Sequence, residues 1–201
     1  MSVSLKKGQK VDLTKGNSGL NQIMVGLGWD EANKSGKGLF GGLFGGKKVQ
    51  DIDCDASAIL CKNGKCEGKK DVVYFGNLKH ISNAVTHMGD NLTGAGEGDD
   101  EQILLELNKV PADYDKIVFV VNIYQAIARH QDFGMIKNAY IRIVDGRNNA
   151  ELCRYNLSEN YEGMYAMIFG EVYRKDNEWK FSAIGQATQD GKLEELVRRF
   201  Q

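Results

Sequence analysis

The feature that most constrains this chain is an alternation of apolar and polar side chains at every second residue, which returns about nine times along it. The segments QIMVGLGW, CDASAILCK, DVVYF, EQILLEL, KIVFVVNIY, AYIRIV, LCRYNL, YAMIFGEVYR and EWKFSAIG carry it. In EQILLELN, Ile103, Leu105 and Leu107 fall on one face with Glu101, while Gln102, Leu104, Glu106 and Asn108 fall on the other. That is the period of a strand, whose successive side chains point to opposite faces, and not of a helix. Residues that favour tight turns lie between the runs, at Asn63-Gly64, Asp145-Gly146 and Asp176-Asn177. The pattern predicts an all-β fold, a two-sheet β-sandwich with short helical elements.

Helical spacing appears at the end of the chain. After Asp190-Gly191, the residues Leu193, Leu196, Val197 and Phe200 share one helical face. Glu194 and Glu195 come early and Arg198 and Arg199 late, as the helix dipole favours, and Asp190 is a candidate cap. The spacing predicts a C-terminal helix packed on the sandwich, and AIARHQD (Ala126 to Asp132) is a candidate short helix or turn. The length fits one domain over 1–201. Within it, NKSGKGLFGGLFGGKKVQ (33–50) reads as a flexible glycine-rich insertion. The doubled LFGG, flanked by lysines, is also a candidate for docking on a partner or on an anionic membrane surface.

Charge narrows the classes of function. The chain has 26 basic and 27 acidic side chains and a net charge of -1, which offers no general attraction to nucleic acid. The opening MSVSLKKGQKVDLTK lacks the apolar core of a signal peptide, so the expected location is the cytoplasm, with reduced cysteines. Cys54, Cys61, Cys66 and Cys153 show no zinc-like spacing. The hairpin signal in CKNGKC pairs Lys62 with Lys65 and sets Cys61 opposite Cys66, so a cross-strand disulfide is conceivable there, with two free thiols as the favoured state.

Acidic charge is concentrated in HMGDNLTGAGEGDDE, from His87 to Glu101. Between Lys79 and Lys109 the only basic side chains are those of His80 and His87. Two like charges about 4 Å apart repel by roughly 4 kcal/mol at an effective dielectric near 20. A compact arrangement of these acids therefore needs a cation or must keep the acids apart. The ligand chemistry matches a hard dication such as calcium, which takes six to eight oxygens from carboxylates, amides, hydroxyls and carbonyls. Asp90, Asn91, Thr93, Asp99, Asp100 and Glu101 carry such oxygens, and the interleaved glycines let main-chain carbonyls approach. The segment is not an EF-hand: counting from Asp90, Leu92 occupies the third position and Ala95 the sixth, where glycine is required. A phosphate-binding loop is excluded by the sign of the charge. In DIDCDAS, Asp51, Asp53 and Asp55 share a face if the segment is extended, and Cys54 between them is then turned inward.

These residues occur in a recognisable order. VSLKKGQKVDLTK, VGLGWD, DCDASAIL, HMGDNLTGAGEGDDE with ILLELNKVP, KNAYIRIVD, RYNLSENY and GEVYRKDNEWKFSAIGQ together resemble the TerD family of tellurite-resistance and bacterial stress proteins. The resemblance implies a β-sandwich that binds one or two Ca2+. The acidic positions that match are Asp53, Asp55, Asp90, Asn91, Thr93, Asp99, Asp100 and Glu101. Asp30 in GWD also matches a family block and joins the implied ligand set, with Gly98 contributing through its carbonyl. Asn77 in YFGN matches as well, as a ligand or a turn residue.

Three classes of function follow. The first is a non-enzymatic, calcium-binding stress-response protein, with other stress or tellurite-resistance proteins as its protein partners. The second is a metal-dependent hydrolase, for which His87 is the histidine nearest the acidic loop. The third is a metal-free protein-interaction module.

Overall fold

The computed structural model describes residues 2–31, 51–90 and 98–201. The insertion at 33–50, with its LFGG repeat, and the predicted ligands Asn91 and Thr93 lie outside the described residues. The described residues form two six-stranded sheets. The first runs in the order β1 (Val3–Leu5), β10 (Glu151–Asn156), β9 (Ile136–Asp145), β3 (Gln22–Glu31), β7 (Glu101–Glu106) and β6 (Val85–Asp90). The second runs β2 (Lys10–Asp12), β12 (Glu178–Thr188), β11 (Ala166–Lys175), β8 (Lys116–Ile123), β4 (Cys54–Cys61) and β5 (Val72–Val73). Neighbours are antiparallel except β1 and β10, which pair in parallel.

The all-β sandwich expected from the alternation is present. Three strands were not legible in it: β1 and β2 are three residues each, too short to show a period, and β6 carries His87 on a buried face. The turns form where their chemistry places them. Asn63 (φ 49°) and Gly64 (φ 76°) close a two-residue turn in which Lys62 and Lys65 exchange backbone hydrogen bonds of 2.8 and 3.0 Å. Asp176 (φ 56°) and Asn177 (φ 60°) do the same between β11 and β12. Both are the left-handed pairs that match strand twist. Asn77 is a turn residue: its side-chain amide donates to the Val72 carbonyl at 2.7 Å. All four cysteines are buried free thiols, Cys61 and Cys66 included.

The main core lies between the sheets. Ile23, Val25 and Leu27 of β3, Ile103 and Leu105 of β7 and Ile141 and Ile143 of β9 meet Phe119 and Val121 of β8 and Phe169 and Phe181 beyond them. A second cluster covers the outer face of the second sheet. There Ile59, Val118, Val120 and Ile168 lie under Leu196 and Val197 of helix α2 (Leu193–Arg198). This explains why β8 reads KIVFVVNI, nearly all apolar: its alternate residues serve two different cores.

The C-terminal helix is present, but Asp190 does not cap it. The capping position is Lys192, without a side-chain bond to the helix, and Glu195 reaches back to accept from the Gly191 N–H at 2.8 Å. Asp190 instead pairs with Arg199. AIARHQD forms the single-turn helix α1 (Ala126–Arg129). Among the described residues no helix is long and apolar enough to cross a membrane.

Candidate metal centre

Three separated acidic segments reach one end of the sandwich: Asp30 near the end of β3, Asp53 and Asp55 at the start of β4, and Asp99 to Glu101 at the start of β7. Asp90 closes β6 opposite Glu101 in the ladder.

The consecutive residues Asp99, Asp100 and Glu101 take three different positions. Asp99 lies on the outer face of the first sheet, buried over Gly26 of β3. A Cβ at Gly26 would fall inside contact distance of the Asp99 carboxylate. Arg142 donates to it from Nε at 2.7 Å and from its NH2 group at 3.0 Å, the Tyr140 hydroxyl at 3.0 Å and Gln102 Nε2 at 3.0 Å. Tyr140 occupies the space that the missing side chain of Gly28 leaves free, and its hydroxyl also lies 2.9 Å from the Gly98 carbonyl, so that its one proton is shared between that carbonyl and Asp99.

Asp100 is half-buried and accepts the Trp29 backbone N–H at 2.6 Å. Trp29 stands where the β3–β9 register shifts, between the Gly28–Tyr140 and Asp30–Lys137 pairs. The extra residue on β9 includes Asn138, held at φ 53°, whose amide donates to Asp30 Oδ2 at 2.8 Å. Burial raises the Asp100 pKa; the Trp29 hydrogen bond opposes this, and the charges of Asp30, Asp99 and Glu101 add to it.

Glu101 points between the sheets, where its Oε2 accepts from the Ala56 N–H at 3.2 Å and lies 2.8 Å from His87 Nε2. His87 is held by the bulge in β6, where Gly89 at φ 85° donates its N–H to His87 Nδ1 at 3.1 Å. That bond leaves the proton on Nε2, directed at Glu101. Burial depresses the His87 pKa, but the hydrogen bond and charge of Glu101, with the Ala56 carbonyl 3.2 Å from Nε2 and the charge of Asp55, outweigh this and leave it raised.

On β4 the alternation expected around Cys54 is observed, with Cys54 buried, Asp53 exposed and Asp55 half-buried. Arg129 NH1 lies 3.8 Å from Asp53 Oδ2. Burial pushes the Cys54 thiol pKa well up, and the charges of Asp55, Asp53, Glu101 and Asp100 push it further, which puts four of the predicted ligands within electrostatic reach of one sulfur. Among the described residues, these carboxylates do not close into a group of three around one point. The sequence reading missed the partners. Arg142 and Tyr140 were visible only as polar positions in AYIRIVD, and nothing local marks them as partners of Asp99.

Comparison with known proteins gives a consistent result. A family model described as the TerD domain matches residues 1–200. Stress response protein SCP2 of Bacillus subtilis is 54% identical over 200 residues, covering 100% of both chains. Tellurium resistance protein TerD of Serratia marcescens is 45% identical over 95% of this chain and 93% of its own. Among solved structures, a homologue of telluride resistance protein (TerD) from Streptomyces coelicolor shares the fold, with a TM-score of 0.64, 18% identity and coverage of 91% of this chain and 99% of its own.

Proposed function

The chain belongs to the TerD family over nearly its whole length, and from that premise we propose that it is a calcium-binding, non-enzymatic stress-response protein of the tellurite-resistance type. Within that reading it works in the cytoplasm, with other stress or tellurite-resistance proteins as partners.

The observation that carries the calcium reading is the setting of Asp100. It is half-buried, the Trp29 backbone N–H donates to it, and burial together with the charges of Asp30, Asp99 and Glu101 raises its pKa. A hard dication relieves such an accumulation of charge, and the donor set, all oxygen, fits calcium. Asp100, Glu101, Asp53, Asp55 and Asp30 would hold the ion, with Asp90, Asn91, Thr93 and the Gly98 carbonyl completing the set. Asp99 would serve differently: its bonds to Arg142, Tyr140 and Gln102 fix the segment that delivers Asp100 and Glu101. His87, the histidine that the hydrolase reading relies on, is buried with Nε2 2.8 Å from Glu101 Oε2.

Isothermal titration of chelator-stripped protein with CaCl2 tests the proposal. Saturable heat and a higher melting temperature are expected, with Asp100→Asn losing most of the affinity while remaining folded. Protein that takes up no Ca2+ at millimolar concentration refutes it.

A further inference from the structure

A cavity of about 600 Å3 opens on the outer face of the second sheet, between β4, β8 and α2. That is within the size range of small-molecule sites. Two of the residues that line it, Ser57 and Asn122, each carry a buried polar atom, Oγ and Oδ1, with no hydrogen-bond partner among the described residues. The two residues are 1% and 7% exposed.

Strand register explains their position. Asp55 pairs with Asn122 and Ser57 with Val120, so Ser57 and Asn122 share the outward face with Ile59, Val118 and Val120. Those three residues belong to the apolar cluster under α2. An unpartnered buried polar atom is a net cost to folding, and two beside one cavity call for a ligand that satisfies them. At the same cavity Phe75 and Tyr124 keep 61% and 42% of their surface exposed, although Phe75 stands edge-on to Tyr74 and the Arg129 guanidinium lies over Tyr124, so each ring still offers apolar surface to the cavity. Acidic and basic side chains both line it, so neither sign of charge selects the ligand.

We propose that this cavity binds a small planar aromatic or heteroaromatic molecule that presents an N–H or O–H donor at one edge. The ring packs against Phe75 and Tyr124. The donor meets Asn122 Oδ1, which can only accept, and the Ser57 hydroxyl completes the polar end. The proposal does not depend on calcium binding, although Asp55 also lines the cavity.

The test uses indole and 1-methylindole, which differ in the donor, titrated into 15N-labelled full-length protein in EDTA and again in excess calcium. Indole is expected to give saturable shifts at Ser57, Leu193 and the Asn122 side-chain amide, and to bind about tenfold more tightly than 1-methylindole, the value of one hydrogen bond. Combining Ser57→Ala with Asn122→Leu is expected to erase that preference. The double variant should melt no lower than the wild type, because it removes buried atoms that lack partners. Val197→Trp, which fills the cavity from α2, is expected to lose both probes. Shifts that do not saturate, shifts that map elsewhere, or equal affinity for the two probes would overturn the proposal.

Discussion

Arg142 clamps the Asp99 carboxylate with two hydrogen bonds, Nε to Oδ1 at 2.7 Å and its NH2 group to Oδ2 at 3.0 Å, across 43 residues of chain. The Asp99 side chain is fully buried and that of Arg142 is 29% exposed. Gly26 and Gly28 of β3 make room for this layer, and Arg154 stacks on Tyr140 beside it at 3.5 Å.

Removing the cation from this pair leaves a buried carboxylate without its main partner. Arg142→Met is expected to destabilise the protein by about 2–3 kcal/mol, below the 3–5 kcal/mol typical of a fully buried pair because the guanidinium is partly solvated. Urea unfolding of the two proteins measures it. A loss under about 0.5 kcal/mol would mean that Tyr140 and Gln102 hold Asp99 unaided.

Gly26→Ala attacks the same layer from below. Its methyl group would occupy space now held by the Asp99 carboxylate, so Asp99 must shift and carry Asp100 and Glu101 with it. Lower thermal stability and weaker calcium uptake are expected together. Unchanged calcium affinity in a destabilised protein would separate the Asp99 anchor from the metal site.

Helix α2 stabilises the fold by covering the outer face of the second sheet. Leu196 is fully buried there, and Leu196→Ala is expected to cost about 2–4 kcal/mol through lost transfer energy and the cavity left behind. Chemical denaturation would show it as a lower midpoint with an unchanged slope. A cost near zero would mean that the helix adds nothing to global stability.

Acid should weaken the turn after β9. Hydrogen bonding from Arg147 holds the Asp145 pKa below 3.8 although burial opposes it. A carboxyl group with a depressed folded-state pKa contributes stability that is complete above its unfolded value and lost as pH falls through the folded one. The difference in melting temperature between wild type and Arg147→Met should therefore be constant from pH 5 to 7 and shrink below 3.8. A gap that does not change with pH would count against the pair.

Legibility followed sequence distance. The Asn63-Gly64 and Asp176-Asn177 turns were readable because both central residues must accept positive φ, a demand met by adjacent residues alone. The inward turn of Cys54 between Asp53 and Asp55 was readable for a similar reason, since alternation is a property of any extended segment. Asp190 misled because its competing partner, Arg199, sits nine residues on at the other end of the helix. DDE, in turn, read as one acidic block although its three carboxylates meet unrelated surroundings.

From the sequence alone came the class of fold, the positions of the turns, the C-terminal helix and the places where negative charge accumulates, because each depends on period, turn chemistry or composition within a few residues. Tertiary structure decided what each acid does: Asp99 meets Arg142, Asp100 meets the Trp29 N–H 71 residues away, and Glu101 meets Ala56 and His87. Side-chain partners separated by tens of residues are chosen by strand order, register shifts and the glycines that let layers approach. Those exist only once the two sheets have paired and packed.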